Sequence, residues 1–151
     1  GLDGGRINIA TCSVGTAQKA IQDAASYVQE RKQFDTPIAD FQNTQFKLAD
    51  MLTELVAARQ MIRLAASKLD NQDPQATTYC AMAKRFATDV GFTVCNDALQ
   101  LLGGYGYIKE YPMERYVRDT RVHQILEGTN EIMRVIVGRK LLMDGALEVI
   151  Q

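Results

Sequence analysis

Histidine, proline and cysteine are all scarce in this sequence of 151 residues, and the scarcity excludes several classes of function. The one histidine, His123, cannot supply the two Glu-x-x-His pairs of a ferritin-like metal site, so we interpret it as a packed or capping residue. The three cysteines, Cys12, Cys80 and Cys95, form no Cys-x-x-Cys pair. No metal site or disulfide framework is therefore indicated, and buried thiols in a reducing compartment are expected.

The sequence also lacks a charge imbalance and a long apolar run. Its formal net charge is −1 and its basic residues do not gather into a run, so nothing favours nucleic acid or an acidic membrane as a partner. No apolar stretch is long enough to cross a bilayer, and residues 1–6 lack the apolar core of a secretory signal. Because the chain has no initiator methionine and opens on a helix-start pattern, we expect it to be part of a longer protein.

Helical periodicity is the feature that the sequence has in abundance. Apolar residues recur at alternating steps of three and four, whereas strand signals are nearly absent. Long helices are predicted at Gly4–Arg31, Phe41–Leu69, Pro74–Leu102 and Thr129–Val149, with a short helix at Tyr111–Val122. The connections include a predicted turn at Phe34–Asp40 and a predicted loop at Tyr105–Glu110.

The ends of these helices carry cap signals. Asp3 is a plausible N-cap of the first helix, and Asp73 followed by Pro74 predicts the start of the third. Gly103-Gly104 predicts the end of that helix, because glycine accepts the left-handed conformation of a C-cap.

Helices of nearly thirty residues would each be about 40–45 Å long, and short turns make consecutive helices antiparallel neighbours. On the second helix the core face is expected to be a stripe that is widened on one side by Met51, Ala58 and Ala65; the stripe itself contains Leu48, Leu52, Leu55, Ile62, Ala66 and Leu69. The sequence thus predicts an all-α fold, in which residues 1–151 form one domain. Its architecture is an antiparallel up-and-down four-helix bundle with a short extra helix before the last long helix.

Two local features are open to a chemical or a structural interpretation. Glu127 follows the apolar pair Ile125-Leu126 at a break between helices, so partial desolvation could make it a better general base. Its alternative role is to cap the last helix. The Gly-Gly-Tyr-Gly run at residues 103–106 either ends a helix or lets a ligand approach the backbone, and it lacks the context of a phosphate loop.

Six segments, in order along the chain, resemble the C-terminal domain of acyl-CoA dehydrogenases. They are Asp3–Arg6, Arg31–Phe34, Gln42 with Phe46–Met51, Gln100–Tyr107, Tyr116–Arg121 and Ile125–Ile132. The resemblance covers nearly the whole chain. It implies a FAD-dependent oxidation of an acyl-CoA to a trans-2-enoyl-CoA, in which a carboxylate removes the α-proton and a hydride leaves the β-carbon for the flavin N5.

The resemblance also implies roles for single residues. Glu127 matches the proton-abstracting carboxylate, and its backbone N–H would help to polarise the thioester carbonyl. Substrate contacts are implied for Asp3, Gly4, Gly5, Arg6 and Gly128. FAD contacts are implied for Phe34, Thr129, Asn130 and Glu131. Contacts to the FAD of a neighbouring subunit are implied for Arg31, Gln42, Gln100, Leu101, Leu102, Gly103 and Gly104. The structural alternatives are a helix C-terminal charge at Arg31 and a cap at Asp3.

One position distinguishes subfamilies in this resemblance. Some members, including isovaleryl-CoA dehydrogenases, carry the base on the first helix, just before the arginine of the opening motif. That position is Gly5 here, and glycine cannot act as a base. The resemblance therefore argues against an isovaleryl-type enzyme. The Leu126–Arg134 segment resembles isobutyryl- and short-chain-type enzymes, which implies a short or short branched acyl chain.

The resemblance extends to partners and leaves alternatives. It implies a dimer or tetramer, electron-transferring flavoprotein as electron acceptor, and a location in the bacterial cytoplasm or the eukaryotic mitochondrial matrix. The family's N-terminal helical and middle β-domains have no counterpart here, so we expect the chain alone to be inactive. An acyl-CoA oxidase is one alternative. A non-catalytic assembly bundle is another, although it would not need Glu127, Gly103-Gly104 and Arg31 together.

Overall fold

A computed structural model of the chain describes residues 1–145. The long helices are α1 (Leu2–Glu30), α2 (Gln42–Asp70), α3 (Ala76–Leu102) and α6 (Asn130–Asp144), with shorter α4 (Gly104–Tyr107) and α5 (Met113–His123). The all-α bundle predicted from the periodicity is confirmed, including the short helix before the last long one. Within residues 1–145 no helix is both long and apolar enough to span a membrane. Ala146 and Val149, on the predicted face of the last helix, lie outside the described residues.

Helix α3 is the centre of the bundle, because it packs against α1, α2, α5 and α6. Its contact with α1 is the most extensive, and the two helices run parallel: Asp3 lies beside Thr77 and Ser13 lies beside Gly91. Small residues allow the backbones to approach this closely. A Cβ added at Gly91 would lie 2.8 Å from the Ser13 Cβ and 3.1 Å from its carbonyl oxygen.

The buried face of α2 is narrower than the predicted one. Leu52 is 54% exposed and its prediction is wrong, whereas the buried residues of the predicted face are Met51, Leu55, Ala58, Ile62 and Ala65. Three-and-four spacing admits both the row of Leu48 and Leu52 and the row of Met51 and the alanines. The tertiary contacts of α2 with α1 and α3 select the stripe that contains Met51 and the alanines.

Two helix starts differ from the cap predictions. Helix α1 begins at Leu2, so Asp3 lies inside the first turn and is not an N-cap. Helix α3 begins at Ala76, two residues after Pro74. The Asp73 carboxylate accepts the backbone N–H of Gln75 at 2.7 Å, which closes a turn before the helix instead of capping it.

The predicted turn at residues 34–40 contains a small hairpin. Strands β1 (Lys32–Gln33) and β2 (Thr36–Pro37) pair antiparallel, and a 3₁₀ turn follows at Ile38–Asp40. Phe34 and Asp35 join the strands with φ values of 54° and 61°. Strands of two residues are too short to give a period-two pattern, which is why the sequence shows only a turn.

The predicted end of α3 at Gly103-Gly104 is confirmed. The segment after it, predicted as a loop, begins with the single helical turn α4. Helix α3 ends at Leu102, and Gly103 has a φ of 59°. Thr129 is the N-cap of α6, and its hydroxyl accepts the N–H of Ile132 at 3.3 Å.

Candidate functional site

The turn between α5 and α6 presents Glu127 in a backbone conformation that glutamate rarely adopts. Its φ is 58°, and that of Gly128 is 92°. The turn is closed by a hydrogen bond from the Asn130 N–H to the Gln124 carbonyl at 3.0 Å. Two successive left-handed residues reverse the chain sharply, so the Glu127 side chain projects away from α5.

The Glu127 carboxylate lies against the first turn of α1. A Cβ added at Gly5 would lie 2.8 Å from Glu127 Cδ, and closer still to one carboxylate oxygen. Residues more than a hundred positions apart are thereby brought together. Glu127 is exposed, however, so the described part of the chain does not supply the desolvation expected from its apolar neighbours in sequence.

Asp3 and Arg6 form the polar wall beside this contact. Arg6 donates to Asp3 at 3.0 Å, and the other Asp3 oxygen accepts the Thr77 hydroxyl at 2.7 Å. Arg6 is buried, and within residues 1–145 its Nε has no hydrogen-bond partner. Gly4 has open space where a side chain would stand. Of the predicted substrate residues, Gly5 therefore lies against Glu127, and Asp3, Gly4 and Arg6 are its neighbours in the first turns of α1.

A buried lysine that sequence reasoning missed lies under the Glu127 turn. Lys84 of α3 is 0% exposed, and it donates to the Gly128 carbonyl at 2.7 Å and to the Asn130 side-chain oxygen at 2.8 Å. Burial lowers the pKa of Lys84 to about 8. A signal was present in the sequence, because Lys84 falls in line with Cys80, Ala87 and Gly91 on one helical face of small residues.

The three predicted FAD residues at the start of α6 have different surroundings. Thr129 caps the helix, and the Glu131 side chain is 82% exposed. The Asn130 side chain is buried, where it donates to Asp89 at 2.7 Å and to Thr88 at 2.9 Å. The Asn130 side chain therefore faces the interior of the bundle, and the implied FAD contact of Asn130 stays a prediction.

The other predicted cofactor residues gather at the opposite end of α1. A groove of about 640 Å³ is lined by Arg31 and by the whole run Gln100–Gly104. The guanidinium of Arg31 stacks over the Tyr105 ring, 5.6 Å from its centre. Side chains added at Gly103 or Gly104 would meet nothing within 4 Å, so this backbone is open to a ligand.

Phe34 and Gln42 do not line the groove, although both are exposed nearby in sequence. Phe34, at the tip of the hairpin, is 90% exposed. Tyr27 and Lys47 also line the groove and were not predicted as site residues. Tyr27 stands outside the motif segments, and Lys47 lies in the Phe46–Met51 segment, to which the resemblance gave no cofactor role. Lys47 forms an ion pair with Asp97 at 3.3 Å.

The two groups of site residues cannot serve one ligand within a single chain by direct contact. Gly5 and Arg31 are 26 residues apart on α1, which corresponds to about 39 Å at 1.5 Å per helical residue. The surface that holds Glu127 and the groove that holds Arg31 are thus separate parts of the molecule. The expectation that Arg31 and Gln100–Gly104 contact the FAD of a neighbouring subunit stays a prediction.

Comparison with known proteins gives the family. Residues 1–142 match the family model described as acyl-CoA dehydrogenase, C-terminal domain. The chain is 55% identical over 144 residues to the mitochondrial isobutyryl-CoA dehydrogenase of Bos taurus, covering 95% of this chain and 35% of that protein. It is 46% identical over 141 residues to the caffeyl-CoA reductase-Etf complex subunit CarC of Acetobacterium woodii, covering 93% of this chain and 37% of that protein.

Among solved structures, the fold is similar to butyryl-CoA dehydrogenase from Megasphaera elsdenii. The TM-score is 0.90 at 45% identity, and the match covers 93% of this chain and 37% of that one. The chain thus spans about a third of the length of the relatives it matches. With its motifs, its bundle and the Glu127 side chain packed against α1, the chain belongs to the acyl-CoA dehydrogenase family and corresponds to its C-terminal domain.

Proposed function

We propose that this chain is the C-terminal domain of a FAD-dependent acyl-CoA dehydrogenase in which Glu127 removes the α-proton of the substrate. The observation that carries the proposal is the contact of the Glu127 side chain with Gly5. This contact joins the turn at residues 127–129 to the first turns of α1. The Glu127 carboxylate thus lies against the Asp3–Arg6 segment, which contains the basic side chain of Arg6 and open space at Gly4.

The chemistry of this surface fits an acyl thioester. Proton removal from the α-carbon needs a carboxylate that is free to accept, and the Glu127 side chain forms no hydrogen bond or ion pair within residues 1–145. The buried Arg6 offers a positive charge for an anionic part of the substrate. The exposed face of Glu127 would be desolvated by the bound acyl chain and by the rest of the enzyme.

The groove at the other end of α1 fits a flavin dinucleotide. Arg31 supplies a forked cation for a diphosphate, and Gly103-Gly104 supplies open backbone that a planar or phosphate group can approach. FAD, when bound, supplies the acceptor for the hydride that leaves the β-carbon. Because the groove is about 39 Å from Gly5 along α1, its residues would hold the FAD of a neighbouring subunit.

We propose a short or short branched acyl-CoA as substrate. The support is the 55% identity to the isobutyryl-CoA dehydrogenase of Bos taurus and the presence of Gly5 where an isovaleryl-type enzyme carries its base. Electron-transferring flavoprotein is the proposed acceptor, since a 46% identical relative is named as a subunit of an Etf complex. The proposed location is the mitochondrial matrix in a eukaryote or the cytoplasm in a bacterium. We also propose that the chain alone does not turn over acyl-CoA.

The substitution Glu127→Gln tests the base in the full-length protein loaded with FAD. Glutamine keeps the shape of the side chain but cannot accept the α-proton. Flavin reduction by isobutyryl-CoA, followed anaerobically as bleaching, should slow by about 10²–10⁴-fold or more, with FAD still bound. The matched control is Glu54→Gln on the exposed face of α2, which should bleach at the wild-type rate.

Bleaching of the Glu127→Gln protein at a rate close to wild type would show that another group is the base. A second arm moves the carboxylate to α1. Because a side chain at Gly5 would collide with the one at position 127, Gly5→Glu is best combined with Glu127→Gly, which also suits a φ of 58°. This double variant should recover part of the lost rate, whereas Glu127→Gly alone should not.

A further inference from the structure

Lys84 is the most buried large polar side chain of the described chain, and its function is not explained by packing. Its side chain is 0% exposed. Within residues 1–145 its ammonium forms no ion pair, and its acceptors are the Gly128 carbonyl and the Asn130 side-chain oxygen. Both acceptors belong to the turn that carries Glu127. The ammonium is therefore bound to that turn alone.

A buried ammonium is costly to the fold. Removing a charge from water carries a penalty of several kcal/mol, and hydrogen bonds to neutral oxygens offset only part of it. A methionine at position 84 would fill nearly the same volume without that penalty. The presence of a lysine at position 84 is thus better explained by its hydrogen bonds to Gly128 and Asn130 than by a contribution to stability.

The ammonium holds a backbone that would otherwise relax. Glu127 has a φ of 58°, in a region where a residue with a side chain is strained, and Gly128 follows with a φ of 92°. The bond from Lys84 to the Gly128 carbonyl, at 2.7 Å, fixes the peptide plane directly after Gly128. The Asn130 side chain extends the anchor to Thr88 at 2.9 Å and Asp89 at 2.7 Å.

Building on the proposed function, we propose that Lys84 is a positioning residue for the catalytic base: its bonds to Gly128 and Asn130 hold the α5–α6 turn so that the Glu127 carboxylate stays over Gly5. Lys84 does not touch the substrate in this role. It acts through the turn, from inside the bundle, while Glu127 acts on the outer side. Loss of its donors lets the turn shift by an ångström or so, which is enough to misplace the carboxylate.

The test compares Lys84→Met with wild type in the full-length protein loaded with FAD. The rate of anaerobic flavin bleaching at saturating isobutyryl-CoA should fall by about 10–100-fold, the effect of a misplaced catalytic group. The substrate concentration for half-maximal rate and the FAD content should change less than about twofold. Lys84→Arg, which keeps donors in the same place, should retain more activity than Lys84→Met. Lys68→Met, at the end of α2, is the control and should behave like wild type.

Two readouts separate positioning from a general structural role. The melting temperature of Lys84→Met should equal or exceed that of wild type, while amide hydrogen exchange should quicken only in residues 125–133. Adding Lys84→Met to Glu127→Gln should cause no further loss of rate, because both substitutions act on the same step. A full additional 10-fold loss in the double variant would overturn the proposal, as would failure of Lys84→Met to fold.

The outcome for Lys84 is distinguishable from that for the proposed function. If Glu127→Gln bleaches at the wild-type rate, Glu127 is not the base and both ideas fail together. If Glu127→Gln is slow while Lys84→Met bleaches at the wild-type rate, the base assignment stands and the positioning role of Lys84 is overturned.

Discussion

At the scale of single residues, the buried charge of Lys84 makes stability depend on pH. Burial lowers the pKa of Lys84 to about 8, and Asp89, Glu131 and Glu127 oppose the shift by attracting the charge, whereas Arg6 adds to it. In the unfolded chain the lysine titrates near 10.4. Between pH 8 and pH 10.4 the unfolded state binds more protons than the folded state. The contribution of Lys84 to the free energy of unfolding therefore rises with pH in this window and falls again as pH drops to 8, where the folded chain must bury the charged lysine.

We predict that the stability difference between wild type and Lys84→Met narrows above pH 8. At pH 7 the methionine variant should be the more stable, because it buries no charge. Between pH 8 and pH 9 the gap should shrink by about 1 kcal/mol, close to the 1.36 kcal/mol per pH unit of one released proton. Urea unfolding at several pH values measures both free energies.

Two buried thiols make stability fall as pH rises, which is opposite to the effect of Lys84. The effect of Lys84 is therefore measured as the difference between wild type and Lys84→Met. Burial raises the pKa of Cys80 to about 11 and that of Cys95 to about 12, so the folded chain keeps protons that the unfolded chain loses above about pH 8.5. Both proteins share this loss, and it cancels in the difference. A gap that stays constant from pH 7 to pH 9.5 would show that Lys84 does not titrate in this range.

The predicted site residues illustrate what sequence can give at this scale. Glu127, Arg31 and Gln100–Gly104 stand in motifs or at helix breaks, and such local features are visible in one dimension. Lys84 and the inward orientation of Asn130 depend on which face of α3 meets the α5–α6 turn. That meeting joins residues more than forty positions apart, and no local pattern encodes it.

At the scale of the elements, α1 and α3 contain two kinds of glycine. A Cβ added at Gly91 of α3 would lie 2.8 Å from the Ser13 Cβ, whereas a Cβ added at Gly15 of α1 would meet nothing within 4 Å. Alanine favours a helix over glycine by about 1 kcal/mol in the absence of a clash. The same substitution should therefore have opposite effects at the two positions.

We predict that Gly91→Ala lowers the free energy of unfolding by about 1–3 kcal/mol, since the added methyl group forces the parallel helices apart. Gly15→Ala should raise it by about 0.5–1 kcal/mol, and it serves as the matched control. Thermal or urea unfolding of the two variants beside wild type measures the change. Equal effects of the two substitutions would contradict the close approach of α1 and α3.

The helices were predicted nearly to their true ends, but their faces and connections were less well determined. Periodicity placed α1, α2 and α3 within a few residues, because each has a long apolar stripe. On α2 the apolar pattern is wider than the face that packs, so Leu52 is predicted to be buried but is exposed. The hairpin at Lys32–Pro37 was not visible, since two-residue strands are held by turn geometry and not by a pattern.

At the scale of the whole molecule, the exposed face of α2 is unusually apolar. Phe46, Leu52, Val56 and Leu64 are each more than 40% exposed. The groove that holds Arg31 lies about 39 Å along α1 from Gly5, and under the proposed function its residues would contact the FAD of a neighbouring copy of the chain. We propose that the apolar face of α2 takes part in assembly, where burial of such side chains stabilises the contact.

The last prediction is that the 151-residue chain self-associates through α2. Sedimentation at a few tens of micromolar should show a dimer or larger species, because burial of about four large apolar side chains is worth several kcal/mol of association. Leu52→Lys should raise the dissociation constant of the assembly by about 10-fold or more, because it places a charge in the contact. This change corresponds to about 1.4 kcal/mol of association free energy. Asn96→Lys adds the same charge at an exposed polar position of α3, outside the apolar face of α2, and should leave the assembly unchanged. Both variants should keep the wild-type helical content by circular dichroism, because neither residue lies in the core. A monomer at these concentrations, or equal dissociation constants for the two lysine variants, would show that α2 is not the assembly surface.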